Sequence, residues 1–388
     1  MTNHIKMQNH QTHMDDKKPK SFFRFEYDYI HQINKRPWIG NAGDMFQTFA
    51  VINLYQKAGI EINDITPINR DEIGTYQGKT GTLIMQGYYE RTPQFNAQAK
   101  SIQMPCSVKI NPVFIGFHIA DINYYTRPEA IEYYKKYSPI GCRDRLTSEL
   151  LKNLGVNAYF SGCLTLTFDK REKKDTQNKI FIVDIPEKAF KKIPVHIRNE
   201  AEIRTQKIKI ENFSSQDEII TEFEKKSGRL LEEYKNTAKL VVTKRIHVAM
   251  PCIAMGIPIV FIHKNPQNAR FDVLHGLTEI YSYKDIKNIP YNDVKAIDIE
   301  EYKKLIINNA LFQLNKACPD LNIEIPPKEP QKELEEYTQK LAVKYLQITQ
   351  AKTAKKWKKK IFNKKTDINY ANYIKFLTKN AIYEKKGN

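Results

Sequence analysis

The side chains best suited to chemistry in this chain are Arg245 and His247, two residues apart and preceded by Lys244. A guanidinium offers parallel N–H donors that fit a carboxylate or a phosphate, and an imidazole titrates near neutral pH. A second charged group, Arg143-Asp144-Arg145, lies about a hundred residues earlier. Arg143 could grip an anion with two parallel hydrogen bonds, or it and Asp144 could pair within the fold. His118 ends an apolar run, where either a ligand contact or a satisfied structural histidine is consistent with its setting. In Asn41-Ala42-Gly43-Asp44, Asn41 and Gly43 form a turn whose N–H groups could hold a polar ligand. Asp44 could take a sugar hydroxyl there, or simply cap the helix that follows.

These residues need elements to position them. Arg245 and His247 lie within KLVVTKRIHVAMPCIAMGIPIVFI, Lys239 to Ile262. The β-branched run Leu240-Val241-Val242 reads as a strand, and the small apolar segment His247 to Met255 as a tightly packed helix. Gly256-Ile257-Pro258 stops that helix and feeds the strand Ile259 to Ile262. Two apolar strands joined by a crossover helix are the unit of a parallel sheet, in which ligands bind at the carboxyl ends of the strands. The spacing therefore suits an anion site at a helix N-terminus, and equally an ordinary crossover with a surface arginine and a packed histidine.

The rest of the chain repeats this alternation. Strands are expected at Thr82 to Met85 (ending at Gln86-Gly87), Val113 to Phe117 (ending at His118), a short run into Ile140-Gly141-Cys142, and Tyr159 to Phe168. Helical spacing begins at Phe46, and another helix follows Arg145, with Thr147 placed to cap it. After the polar stretch DKREKKDTQNK the pattern restarts with KIFIVDIP, which puts a boundary near residue 175. VHIRNEAEIRTQKIKI reads as helix then strand, Ser215 to Tyr234 as an amphipathic helix, and Ile299 to Ala317 as a final helix before the exit PDLNIEIPPKEP. The expected organisation is a disordered segment 1–20, an α/β domain 21–175, a second α/β domain 176–325 carrying the anion site, and a basic helical tail 326–388. Both domains are expected to be doubly wound and Rossmann-like, with a cleft between them.

Composition narrows the class. The chain has 388 residues and a formal charge of +18, of which +10 falls between Lys328 and Asn388. The run Lys352 to Lys365, KTAKKWKKKIFNKK, holds eight lysines and no acid, interleaved with Trp357, Ile361 and Phe362. That pattern suits a helix on an anionic membrane surface, or a basic helix packed through Leu341, Tyr345 and Ile348. No nucleic-acid motif accompanies the charge. The five cysteines are scattered without a C-x-x-C pair, which fits free thiols in the cytoplasm and indicates neither a disulfide framework nor a zinc site. His4, His10 and His13 sit in a polar leader without an apolar core; a solvated tail explains them better than a metal site. No run approaches the ~18 apolar residues of a membrane-spanning helix.

The segments NAGD, CRDRLTSELLKNLG, FSGCLTLTF, LVVTKRIHVAMPCIAMGIPIVF and NARFDVLHGL, in that order over roughly residues 25 to 280, resemble the polysaccharide pyruvyl transferase family. The resemblance implies a two-domain fold like that of the glycosyltransferase B type. It also implies transfer of pyruvate from phosphoenolpyruvate onto a sugar of a surface polysaccharide or its lipid-linked precursor, usually as a ketal bridging two hydroxyls. Family motifs place donor binding and catalysis on Arg143, Arg245 and His247, with His247 as acid/base, and no cofactor beyond the donor. Lys244 stands where many members have serine, Ile246 where they have leucine, and Gln86-Gly87-Tyr88-Tyr89 replaces a glycine-rich strand end. Two other readings fit the same residues. One is a nucleotide-sugar-dependent glycosyltransferase with Lys244 and Arg245 on a diphosphate. The other is a non-catalytic envelope-assembly protein binding anionic glycan or lipid through its tail.

Overall fold

The computed structural model describes residues 21–27, 36–90, 103–175, 177–266, 268–324 and 329–357, with side chains in the last stretch as far as Tyr345. The segment 1–20, expected from sequence to be disordered, its three histidines and residues 358–388 lie outside these residues. So do the side chains of the whole lysine-rich run 352–365.

The first half is built on strands β1 (Ser21–Glu26), β2 (Trp38–Asn41), β3 (Ile65–Asn69), β4 (Gly81–Tyr89), β5 (Ile110–Ile119), β6 (Ile140–Cys142) and β7 (Ala158–Phe160). Six of them form one parallel sheet in the order β3-β1-β4-β5-β6-β7. Its crossovers include α1 (Ala42–Lys57), the short α2 (Ile122–Tyr125), α3 (Pro128–Lys136) and α4 (Arg145–Asn153). The second half contributes β8 (Lys179–Val183), β9 (Ala201–Arg204), β10 (Lys207–Ile210), β11 (Ala238–Thr243), β12 (Ile259–Ile262) and β13 (Ile280–Tyr281). Five of these make a second parallel sheet, β13-β12-β11-β8-β9. Helices α5 (Glu187–Phe190), α6 (Val195–Glu200), α7 (Gln216–Thr237) and α8 (Ile246–Ala254) connect them, and α9 (Glu300–Ala317) and α10 (Pro330–Trp357) follow. The fold is mixed α/β with parallel sheets.

Burial explains why near-continuous apolar runs became strands. Val241, Val242, Val260 and Phe261 are fully buried, as expected of parallel strands covered on both faces. Four elements differ from the sequence expectation. Of the run 159–168 only Tyr159 and Phe160 pair as strand, in β7; Gly162 turns left-handed (φ 71°) and Leu164–Thr167 coils into a 3-10 turn. β4 and β5 run past Gln86 and Phe117 to Tyr89 and Ile119, with a bulge in β5, where Ile115 and left-handed Gly116 (φ 73°) stand opposite Gln86 alone. The helix from Phe46 begins four residues earlier, at Ala42.

The two halves are tied closely. β2 pairs antiparallel with β10, setting Asn41 beside Lys207. One hydrophobic cluster runs through both, from Phe46 and Ile115 to Phe181, Val241, Leu274 and Tyr302. Helix α9, which follows the second sheet in sequence, packs on the first: Asn309 Nδ2 donates to Tyr159 OH at 2.9 Å, and Asn111 Nδ2 donates to Ala317 O at 3.3 Å. Among the described residues no helix is long and apolar enough to cross a membrane.

Candidate functional site

Helix N-termini carry backbone N–H groups that need partners, and three such ends meet where the carboxyl ends of the two sheets approach. At α1, Asn41 is the N-cap: its Oδ1 accepts from Gly43 N at 3.2 Å, while Ala42 N donates to Gln206 O at 2.8 Å. The first N–H groups of α1 are therefore satisfied within the protein, not held open for a ligand. Gly43 answers a packing need, since a Cβ there would lie 3.0 Å from His247 Cβ and 3.1 Å from Gln206 Oε1. Asp44 lies in the first turn, 3.5 Å from Gln47 Nε2, so the capping alternative falls to Asn41 instead.

At α4 the cap is Asp144, not Thr147. Its Oδ1 accepts from Thr147 N at 2.8 Å, and the Thr147 hydroxyl donates to both carboxylate oxygens at 3.0 Å. Arg145 N donates to Asp272 Oδ2 at 2.7 Å. Asp144, 1% exposed, also holds Nδ1 of His118 in a short contact. Burial alone would raise the Asp144 pKa, but the His118 hydrogen bond and charge, the Thr147 N–H and Arg143 together hold it below the usual carboxylate value. It is therefore an anion that fixes the proton of His118 on Nδ1. Burial and the Arg143 charge still lower the His118 pKa, against the pull of Asp144. For Asp272, burial and then the Asp144 charge push the carboxyl up to about 8.

At α8 the N-cap is Arg245, which makes no side-chain cap. Among the described residues, the N–H groups of Ile246 and His247 have no hydrogen-bond partner. Of the three converging helix starts this one is open, and it carries the residues singled out from sequence. Pro251 sits inside α8 four residues after His247; it lacks an N–H, so the His247 carbonyl has no helical donor. Gln206 Nε2 supplies one, at 3.1 Å.

Arg143 projects from the end of β6 toward His247, and its Nη1 lies 3.4 Å from His247 Nε2. A guanidinium only donates, so Nε2 accepts and the imidazole is neutral with its proton on Nδ1. Burial first, then the charges of Arg143, Arg270 and His118, lowers the His247 pKa well below its usual value. Arg143 itself is 1% exposed, its Nε is buried without a partner, and no carboxylate among the described residues lies within ion-pair distance. A guanidinium buried this way is costly unless an anion completes it.

Two residues outside the sequence candidates join the cluster. Tyr88 on β4, paired with His118 in the ladder just past the β5 bulge, stacks on it with ring centroids 5.1 Å apart and planes 24° apart. Arg270, from the second half, lies over the Tyr88 ring at 4.7 Å. Arg245 is held from the second half: its Nε donates to Asp184 Oδ2 at 2.8 Å. Lys244 lies on that side too; burial, then Arg245, lowers its pKa. The sequence candidates thus fall into two adjoining groups, Arg143, Asp144, His118 and His247 on one side, Lys244 and Arg245 on the other. Asn41, Gly43 and Asp44 form the α1 wall behind His247.

None of the curated proteins matches the chain. Among solved structures, an uncharacterised protein from Klebsiella pneumoniae is 14% identical, covers 65% of this chain and 88% of its own, and superposes with a TM-score of 0.38. Staphylococcus aureus MnaA with UDP is 10% identical over 79% of this chain and 99% of its own, with a TM-score of 0.38. A protein described as a UDP-N-acetylglucosamine 2-epimerase from Listeria monocytogenes is 12% identical over 80% and 93%, at 0.35. The family model for polysaccharide pyruvyl transferase matches residues 41–263, from the cap of α1 to the residue after β12. That span is more than half of the chain and includes Arg143, Arg245 and His247, so the chain belongs to the polysaccharide pyruvyl transferase family.

Proposed function

We propose that the protein transfers pyruvate from phosphoenolpyruvate onto two hydroxyls of a sugar, forming a ketal, on a surface polysaccharide or its lipid-linked precursor. The observation that carries this reading is Arg143, a buried guanidinium without an anionic partner, directed at a neutral histidine beside an open helix N-terminus. Phosphoenolpyruvate brings a carboxylate and a phosphate close together, which suits two cationic groups plus backbone N–H donors. Arg143 takes one anionic group, and Arg245 with the Ile246 and His247 N–H groups takes the other. The two parallel sheets meeting at one site support a glycosyltransferase B-like arrangement of the halves.

The reaction balances without an oxidant. A proton adds to the methylene carbon, a sugar hydroxyl attacks the carbon bearing the phosphate, and the carbon–oxygen bond to phosphate breaks. A second hydroxyl then closes the ketal. Of the two hydroxyl protons released overall, one ends on the new methyl group and the other on phosphate. His247, neutral in the free protein, takes a hydroxyl proton; a bound dianion offsets the guanidinium charges and raises its pKa, so that it can return one. His118, held in one tautomer by Asp144, lines the acceptor side with Tyr88. No metal or cofactor is assigned to the reaction.

The test is phosphate release from phosphoenolpyruvate in the presence of a glycoside panel, with nucleotide sugars as the alternative donors. Release that depends on the glycoside supports pyruvyl transfer. Turnover of nucleotide sugars without any from phosphoenolpyruvate would replace it with glycosyl transfer.

A further inference from the structure

Asp184 ends β8 on the carboxyl side of the second sheet, and it is held in an unusual way. Its backbone is left-handed, φ 51°, a region uncommon for a non-glycine residue, though aspartate enters it more readily than most. Such a conformation persists where the surroundings over-determine it, and it collects at functional sites. Here the surroundings are three donors to one carboxylate: Thr205 Oγ1 at 2.6 Å, Gln206 N at 3.2 Å and Arg245 Nε at 2.8 Å. The Asp184 side chain is 11% exposed and that of Arg245 34%.

The contact uses the Nε edge of Arg245, not the terminal fork. Among the described residues its two Nη atoms have no hydrogen-bond partner. Arg245 N is fixed separately by the Thr243 hydroxyl at 3.0 Å. Gln206 extends the same support: it is 1% exposed, its N–H is held by Asp184, its carbonyl accepts from Ala42 N, and its amide donates to the His247 carbonyl that Pro251 leaves open. One buried unit thus reaches Arg245, His247 and the start of α1.

We infer that Asp184, with Gln206, is the positioning unit of the anion site. Asp184 turns the guanidinium of Arg245 so that its two terminal nitrogens present to an anion at the α8 N-terminus, and Gln206 sets His247 beside it. The inference names phosphate as the group held there and in that respect rests on the reading of the site as a phosphoenolpyruvate site. A guanidinium held by Nε and left with a planar pair of N–H groups fits a phosphate in two parallel bonds, which a freely rotating arginine does less well.

Three substitutions separate positioning from stability. Asp184→Gly relieves the left-handed strain but removes the carboxylate. Asp184→Asn keeps an acceptor for Arg245 Nε and tolerates the backbone. Gln206→Leu removes the donor to His247. Each is compared with the unaltered full-length protein by direct titration with inorganic phosphate and with phosphoenolpyruvate, by thermal melting, and by KM and kcat for phosphoenolpyruvate. The expected result is at least a tenfold weaker phosphate affinity and a matching rise in KM for Asp184→Gly with little change in melting temperature. Asp184→Asn should restore most of the affinity, and Gln206→Leu should lower kcat more than it raises KM. Unchanged affinity in Asp184→Gly overturns the inference, as does a loss that follows melting temperature alone. Phosphate binding that depends on Asp184, in a protein that does not turn over phosphoenolpyruvate, would sink the pyruvyl transfer reading and leave the positioning role standing. A protein that binds neither ligand sinks both.

Discussion

Arg143 concentrates the cost and the use of the site in one side chain. A buried, unpaired guanidinium destabilises the empty protein, and replacing such a charge with an apolar group of similar size is often neutral or stabilising. Arg143→Met is therefore expected to raise the melting temperature of the ligand-free protein while lowering kcat/KM for phosphoenolpyruvate by about 100-fold or more. Differential scanning fluorimetry and steady-state kinetics on the same preparation check both halves. For His247, burial and the surrounding cations act in one direction. Its imidazole NMR titration should lie below the ordinary histidine value in the free protein and move up when phosphate is added. A titration that phosphate does not move places the anion elsewhere. Arg143, Arg245 and His247 stood out in the sequence by their place at strand ends, but that spacing suited a structural arginine and histidine equally well, and only the family resemblance pointed them at a donor. Tyr88, Arg270, Asp184 and Gln206 did not stand out, because their roles arise from approaches between segments far apart in the chain. Two local signals were present: Asp184 follows the apolar run KIFIV at a strand end, and Pro251 stands four residues after His247, where it must orphan a carbonyl.

At the scale of elements, the close approach of α1 and α8 is what Gly43 permits. Gly43→Ala adds helix propensity, worth up to about 1 kcal/mol, but its Cβ meets His247 Cβ at 3.0 Å. The expected outcome is a larger loss in kcat than in thermal stability, checked by kinetics and melting side by side. The long helix α10 is docked from behind: Arg145 Nη2 donates to Thr338 O at 2.7 Å, and the His275 ring stacks on Tyr345 with centroids 3.8 Å apart. Burial, then the Arg145 charge, pushes the His275 pKa down to about 3. A depressed histidine contributes stability above its unfolded pKa near 6.5, and loses it as pH falls toward 3 at about 1.4 kcal/mol per unit. Asp272, raised to about 8, acts in the opposite sense over an overlapping range, which makes the separation by substitution necessary. His275→Phe keeps a stacked ring and should flatten the loss of stability between pH 6 and 4, read from urea denaturation across that range. An unchanged slope assigns the acid sensitivity to another group. Strand and helix periods made most of these elements legible. The 3-10 turn at Leu164–Thr167 was not, because β-branched and apolar residues there fill the core instead of a ladder.

At the scale of the molecule, the alternation of strands and helices revealed two parallel sheets, while the sharing of one core between them was hidden in sequence order. Helix α9 follows the second sheet yet packs on the first, and β2 joins β10 across the halves. These ties keep Arg143 and His247 within reach of one another, so activity and global stability should be lost together on denaturation. The basic tail adds a separate expectation. The full chain should bind vesicles containing anionic lipid in low salt and release them in high salt, and a chain ending at Trp357 should bind more weakly with unaltered turnover of a soluble acceptor. Equal binding to neutral vesicles would remove the electrostatic account. The most direct measurement is the mass spectrum of synthetic and lipid-linked glycosides after incubation with the protein and phosphoenolpyruvate. Pyruvyl transfer gives a product heavier by pyruvate less one water, with equimolar phosphate released, absent with His247→Ala. An unchanged glycoside mass across the panel, or the same product from the His247→Ala protein, would contradict it.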